Sequence, residues 1–306
     1  MPHDHHGHHG HAHIDPDAGD RRVAMAVFVN FALTFVQIVG GLLSGSLALI
    51  ADAIHNLSDA VSLVIAFGAR KIARRPADSD MTFGYARVET VAALINYTTL
   101  IVIGLYLVYE GVMRFFEPVG IDGWMVVIIA TIALAVDLVT VALTYTMSKE
   151  SMNIRAAFLH NLADALGSVA VIVAGTLIIL FDWTIVDPIV TLMIAAYILW
   201  HAAVEIGDVI RVLMLGRPPS VKMGDVLEAM QHVDGVSGVH HVHLWQLEEK
   251  KAALQAHVVI DEGRWGDADA IKTRIRTVLA DLKIDHSTLE MECSRHTCLD
   301  TPVVGH

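Results

Sequence analysis

The sequence predicts an α-helical membrane protein: six transmembrane helices followed by a small α+β domain of ferredoxin-like αββαβ order. Three observations lead there. Of 306 residues, 54% are hydrophobic and only 18% charged, where a soluble domain carries roughly 25% charged residues. Nearly all the hydrophobicity lies between Val23 and Leu215. Past Gly216-Arg217-Pro218-Pro219 the pattern changes to short alternating strands and amphipathic helices. The net charge of −12 argues against a nucleic-acid partner. Two cysteines, Cys293 and Cys298, suggest no disulfide framework.

Residues 1–20 are His, Gly, Asp and Ala with almost nothing to bury, so a disordered tail is expected there. Its seven histidines (His3, His5, His6, His8, His9, His11 and His13) suit loose metal capture. It lacks the charged start, apolar centre and cleavage site of a secretory signal. Six apolar stretches follow, near 23–43, 47–69, 88–115, 120–147, 154–181 and 187–214, each close to the ~20 residues that cross a bilayer. Ser44-Gly45-Ser46 makes the first connection very short, which predicts a tight helical hairpin.

With the N-terminus inside, the inner segments hold Arg21, Arg22, Arg70, Lys71, Arg74, Arg75, Arg87, Lys149, Arg155, Arg211 and Arg217. The outer loops hold essentially only Arg114. The positive-inside rule therefore predicts both termini in the cytoplasm, in a multi-pass inner (plasma) membrane protein. Beyond the membrane domain, helical spacing over Val221–His232 and Asp267–Leu282 and strand patterns over Val236–Leu247, Ala252–Asp261 and Ser287–Cys293 predict two helices on one side of a three-stranded sheet. The expected boundaries are 1–20 for the tail, 21–216 for the membrane domain, 217–295 for the α+β domain and 296–306 for the chain's end.

The second and fifth helices carry a near-duplicate. His55-Asn56-Leu57-Ser58-Asp59-Ala60 matches His160-Asn161-Leu162-Ala163-Asp164-Ala165. His and Asp four apart project from one helix face. An aspartate at a helix centre in the membrane costs roughly 2.5–3.5 kcal/mol on insertion scales, so it marks a function. His55, Asp59, His160 and Asp164 together supply two imidazoles and two carboxylates, a set suited to tetrahedral Zn2+ and to its relatives cobalt and cadmium. The fifth helix follows the second by three spans, so the two run antiparallel and bring the motifs together near mid-membrane. Asp52 shares the face of His55 and either assists proton transfer or caps a helix start. Gln37 and Asn96 read as interhelical hydrogen-bonding groups, and Asp137 as a partner that orients ligands.

The stretch from Ser46 to Asp59, and Thr82-Phe83-Gly84-Tyr85-Ala86-Arg87-Val88-Glu89, resemble signatures of the cation diffusion facilitators, over residues 20–295. The resemblance is to bacterial zinc/cobalt/cadmium efflux members, and it implies a homodimer in the lipid bilayer that exports a divalent metal in exchange for protons. It also implies that residues 217–295 bind metal and dimerise, with His240, His257, His286 and Glu292 as ligands. Which of His240, His241 and His243 points inward stays open, because alternation places His240 opposite the other two. Bound Zn2+ there would sense cytosolic metal and stabilise the dimer. Some relatives carry a further site in the loop after the second helix. Here Asp78 and Asp80 lack a histidine, so that site is expected to be missing or weak. Cys293, His296 and Cys298 form a compact group that could also hold zinc.

Imidazole titrates near ~6.5 and must be neutral to bind metal, so protons and metal compete at such a site. Zn2+ is thus expected both as transported substrate and as a regulatory or structural ligand. No His-Glu-x-x-His helix, nucleophile motif or phosphate-binding loop suggests an enzyme. The alternative is a membrane-anchored metal sensor that binds zinc in its cytoplasmic domain.

Overall fold

The computed structural model describes residues 16–145, 152–248, 251–295, 297–298 and 302–305. Six long helices come first: α1 (Pro16–Ser44), α2 (Leu47–Ala73), α3 (Val88–Phe116), α4 (Gly123–Tyr145), α5 (Met152–Phe181) and α6 (Val186–Leu213). A smaller domain follows, with α7 (Met223–Gln231), β1 (Val236–Glu248), β2 (Lys251–Ile260), α8 (Ala268–Asp281) and β3 (Ile284–Cys293). By internal packing the chain forms two compact units, residues 1–64 with 100–200 and residues 65–99 with 201–306.

Among the described residues, four helical stretches are long and apolar enough to cross a membrane: Val88–Phe116, Gly123–Ala142, Asn161–Phe181 and Val186–Leu213. In α1 the described apolar stretch is shorter, Asn30–Ser44. The first helix begins at Pro16. Proline's fixed φ suits an opening helical position, where its missing N–H costs nothing.

In the first unit α4 and α5 are the most extensively packed pair. They approach closely because small residues face each other: a Cβ on Gly123 would sit 2.8 Å from the Gly175 carbonyl oxygen. Leu49, Val126, Ala130, Val171 and Val190 knit α2, α4, α5 and α6 into one apolar core. The expected hairpin between α1 and α2 turns at Gly45, with φ +76°. A side chain there would be strained and would meet the Gly120 carbonyl at 2.6 Å.

The start of α2 is capped across space. The amides of Leu47 and Ala48 donate to the Asp187 carboxylate from α6, at 2.9 and 3.3 Å, and the Leu49 amide donates to Ser46 Oγ at 3.1 Å. Ser46 Oγ donates to the same carboxylate. Arg114 of α3 lies 3.9 Å from Asp187 and donates to the Gly45 carbonyl. Asp187 is fully buried, and burying an ionised carboxylate is tolerable only with donors and a countercharge of this kind.

In the second unit the sheet order is β1-β2-β3, with β1 antiparallel and β3 parallel to β2. Leu254, Ala256, Val258 and Ile260 alternate along β2 and pack with Val226 and Met230 of α7 and Ile271, Ile275 and Leu279 of α8. Fully burying an aliphatic side chain of this size contributes about 1.5–3 kcal/mol. Both helices therefore cover one sheet face, as the spacing predicts, and the other face is left for polar residues. The far end of β1 is held twice. Arg87 donates to the carbonyls of Leu247 and Gln246 at 3.2 and 3.3 Å, and the Gln246 amide donates to Gly216 O at 3.0 Å.

Candidate metal centre

Two groups of metal-ligating side chains form among the described residues, one in each unit. In the first, His55 and Asp59 lie one turn apart on α2 and Asp164 projects from α5. His55 Nε2 is 3.1 Å from Asp164 Oδ1 and 3.9 Å from Asp59 Oδ2. Four ligands tetrahedrally arranged at zinc bond lengths are separated by ~3.3 Å, so these spacings fit one ion with little adjustment. The side chains of His55, Asp59 and Asp164 are 12%, 31% and 11% exposed. The side chain of His160 lies outside the described residues; its backbone is in α5, one turn before Asp164. Tyr197 of α6 meets the His55 ring edge-on, with centroids 5.8 Å apart and an interplanar angle of 86°. No spacing rule points to Tyr197, because a lone tyrosine in an apolar helix has no local pattern.

Behind this group lies a buried polar layer. Gln37 Nε2 donates to Asp52 Oδ2 at 2.8 Å, and Asn56 Nδ2 donates to Gln37 Oε1 at 3.4 Å. Gln37 thus makes the interhelical bond its sequence context suggests. Asp52 does not cap α2, since Asp187 and Ser46 take the first amides. Asp137 accepts a hydrogen bond from Ser168 at 2.9 Å, between α4 and α5. In the loop after α2, Asp78 accepts from the amides of Asp80 and Met81 and from the Tyr85 hydroxyl at 2.7 Å. The tyrosine bond is the main cause holding the Asp78 carboxyl below its ordinary range.

The second group sits on the sheet face that the helices leave open. His240 pairs with His257 across β1 and β2, and Glu292 comes from β3. His257 Nδ1 is 2.6 Å from Glu292 Oε1, and His240 Nε2 is 3.4 Å from Glu292 Oε2. His257 Nε2 is also 3.3 Å from the more exposed Glu290. Burial works to raise Glu292. The bonds from His257 and Cys298 outweigh it and hold its carboxyl below the ordinary glutamate range. Cys298 donates from its thiol to Glu292 Oε1 at 3.3 Å, and its sulfur lies 3.8 Å from His257 Nδ1. His240, His257, Glu292 and Cys298 offer ligand atoms all within 4.8 Å of one another.

Strict alternation along β1 fails, and the reason is a bulge. The register passes from His240↔His257 directly to His243↔Gln255, so two residues of β1 oppose one of β2. His241 takes a left-handed φ of +53° at this point. Val242 turns fully into the helix-side core, and His240 and His243 emerge on the same face instead of opposite ones. The His241 ring stacks on His257 with centroids 4.8 Å apart. His286 is not brought into the group. It is exposed on β3 beside Ala253, four positions from His257 along β2, or about 13 Å. Cys293 pairs with Ile260 at the end of β3, so alternation sends it to the face opposite Glu292. His296 and the seven tail histidines lie outside the described residues.

Apolar helices with a His/Asp group between two of them, joined to a sheet domain with a second such group, define a multi-pass membrane protein that handles metal ions. Comparison with known proteins makes this specific. Residues 23–214 match the cation efflux transmembrane domain, and residues 218–292 match the cytoplasmic domain of cation efflux proteins. The chain belongs to the cation diffusion facilitator family, among its zinc, cobalt and cadmium efflux proteins. It is 37% identical over 302 residues to the zinc transporter ZitB of Shigella flexneri, covering 96% of each chain. It is 34% identical over 290 residues to the cadmium, cobalt and zinc/H(+)-K(+) antiporter of Bacillus velezensis, covering 94% of this chain and 93% of the relative. To the metal cation efflux system protein CzcD of Cupriavidus metallidurans it is 34% identical over 284 residues, covering 92% and 89%.

Proposed function

We propose that this protein is a secondary active transporter that exports Zn2+ from the cytoplasm in exchange for protons, with Co2+ and Cd2+ as further substrates. The observation that carries the reading is the convergence of His55, Asp59 and Asp164 from two helices, at spacings one ion can bridge, in a chain of the cation efflux family. His160 completes a two-His two-Asp site at mid-membrane. Six helices cross the inner membrane, both termini are cytoplasmic, the C-terminal domain is ferredoxin-like, and two copies form a homodimer. The names of the relatives, a zinc transporter and a cadmium, cobalt and zinc antiporter, support the substrate class.

The exchange follows from the donor set. Neutral imidazole and ionised carboxylate hold the ion, and a proton on either removes a ligand. Facing a near-neutral cytoplasm the site loads. Facing a more acidic exterior it takes protons and releases the ion. Tyr197 packs against the His55 ring and limits its rotation, so that Nε2 stays aimed at the two carboxylates.

The sheet group fits a resident Zn2+. His240 Nε2 is buried without a hydrogen bond, a costly state for a polar atom that a metal would relieve. His240, His257, Glu292 and Cys298 would hold that ion, and its chemistry there is structural and regulatory.

Liposome reconstitution tests the transport reading. A pH gradient, acidic on the side corresponding to the exterior, should drive Zn2+ accumulation that Asp164→Ala abolishes. No gradient-driven accumulation by the parent protein would leave the metal-sensor reading instead. Parent-rate transport by Asp164→Ala would show the site to be wrong.

A further inference from the structure

The end of the chain does two things at once on the open sheet face. Cys298 brings its sulfur to His257 and Glu292, and its own amide donates to Glu292 Oε2 at 3.3 Å. A few residues later the chain reaches β1. There the amides of His241 and Val242 donate to the carbonyls of Pro302 and Val303 at 3.1 and 3.0 Å, and the Gly305 amide donates to Val242 O at 3.3 Å. Val242 and Val304 form an isolated parallel bridge. These bonds fall on the bulge, where β1 has slipped out of register with β2. Among the described residues, Cys298 thus touches β2 and β3, and residues 302–305 pair with β1. His257 and Glu292 are buried, whereas Cys298 is exposed.

We propose that this tail is a metal-latched strap: Cys298 supplies the fourth ligand to an ion held by His240, His257 and Glu292, and that ligation fixes residues 302–305 on the bulged edge of β1. The proposal rests on the reading of the sheet group as a metal site. Three ligands come from strands that are already paired, so they are in place before metal arrives. The fourth comes from a segment anchored, among the described residues, by three backbone bonds and one bridge to β1. Ordering such a segment costs conformational entropy, which a Cys–metal bond near its start offsets. Ligation and edge-pairing are therefore coupled, each making the other more favourable. The thiolate also sets the ligand class. A set of two imidazoles, one carboxylate and one thiolate takes Zn2+ and Cd2+ and refuses hard ions such as Mg2+.

The test uses the full-length protein, stripped of metal by chelation. Cd2+ is the spectroscopic probe and Zn2+ the exchange probe. Cd2+ should produce a thiolate-to-metal charge-transfer band in the parent and in Cys293→Ser, and none in Cys298→Ser. Zn2+ should slow amide exchange at His241 and Val242 roughly tenfold in the parent, with no slowing in Cys298→Ser. Cys298→Ser should still bind Zn2+, at least ~10-fold more weakly. A bound Cd2+ that depends on His257 yet gives no band, or equal protection of His241 and Val242 in parent and Cys298→Ser, would overturn the strap alone. Absence of any binding sensitive to His257→Ala would overturn the sheet site and the strap together.

Discussion

In the helical unit two candidate ligands come from one face of α2 and a third from α5, whereas in the sheet domain His240, His257 and Glu292 come from three neighbouring strands. The donors are alike and the construction is not. A helix guarantees that residues four apart meet, so a single helix–helix contact is enough to assemble the first group. A sheet guarantees nothing until register is fixed, and here a bulge decides which histidines share a face. Exposure differs too. Asp59 keeps 31% of its side chain accessible, while Glu292 keeps 7%. On the proposed reading, the helical group holds an ion in passage and the sheet group one that stays.

The largest effect expected from breaking this contrast is at Asp164. Replacement by alanine should lower the rate of Zn2+ flux into liposomes by at least ~100-fold, beyond the 10–100-fold usual for partners outside the ligand shell. His257→Ala should lower retained zinc at least ~10-fold yet leave flux measurable. Flux lost as completely as with Asp164→Ala would erase the distinction between passing and resident ions.

The bulge offers a sharper probe. His241→Val places a β-branched residue at φ +53° and should destabilise the sheet domain by about 1–2 kcal/mol in denaturant titrations. His241→Gly should change stability by less than ~1 kcal/mol. Glu292 gives a pH test. Its carboxyl lies below the ordinary range, so its stabilising contribution is present above the unfolded glutamate value. That contribution is lost only as pH falls through the lowered value. Glu292→Gln should therefore weaken zinc binding without changing the number of protons released at neutral pH, measured by calorimetry in two buffers. The smallest effect is at Ser168, whose bond to Asp137 joins α4 to α5. Ser168→Ala should cost ~0.6 kcal/mol, the average for such bonds in membranes.

How much of this is legible in the residues alone follows the same division. Four of the helical stretches, Val88–Phe116, Gly123–Ala142, Asn161–Phe181 and Val186–Leu213, are visible because apolar runs of bilayer length are hard to mistake. The duplicated His-x-x-x-Asp is visible because its geometry is local. The order of strands and helices in the C-terminal domain is visible from periodicity, though β3 starts at Ile284 instead of Ser287. The face of His240 is not, because a bulge inserts one residue and inverts every later alternation. His286 resembles a ligand through its proximity in sequence to Glu292. Parallel pairing of β3 with β2 places it beside Ala253, too far along the strand. Cys298 groups with Cys293 and His296 along the chain, but the tail's path joins it to His257 instead. The tether of Asp187 to α2 spans about 140 residues and leaves no local pattern at all.

That tether makes the beginning of α2 the fulcrum of a lever. His55 is eight residues along the helix from Leu47, about 12 Å at helical rise. A tilt of about 5° around the held end would displace the imidazole by ~1 Å, comparable to the margin between a ligand bond and none. On the proposed transport reading, small angular freedom at a clamped pivot is thus amplified into whether the ion is held.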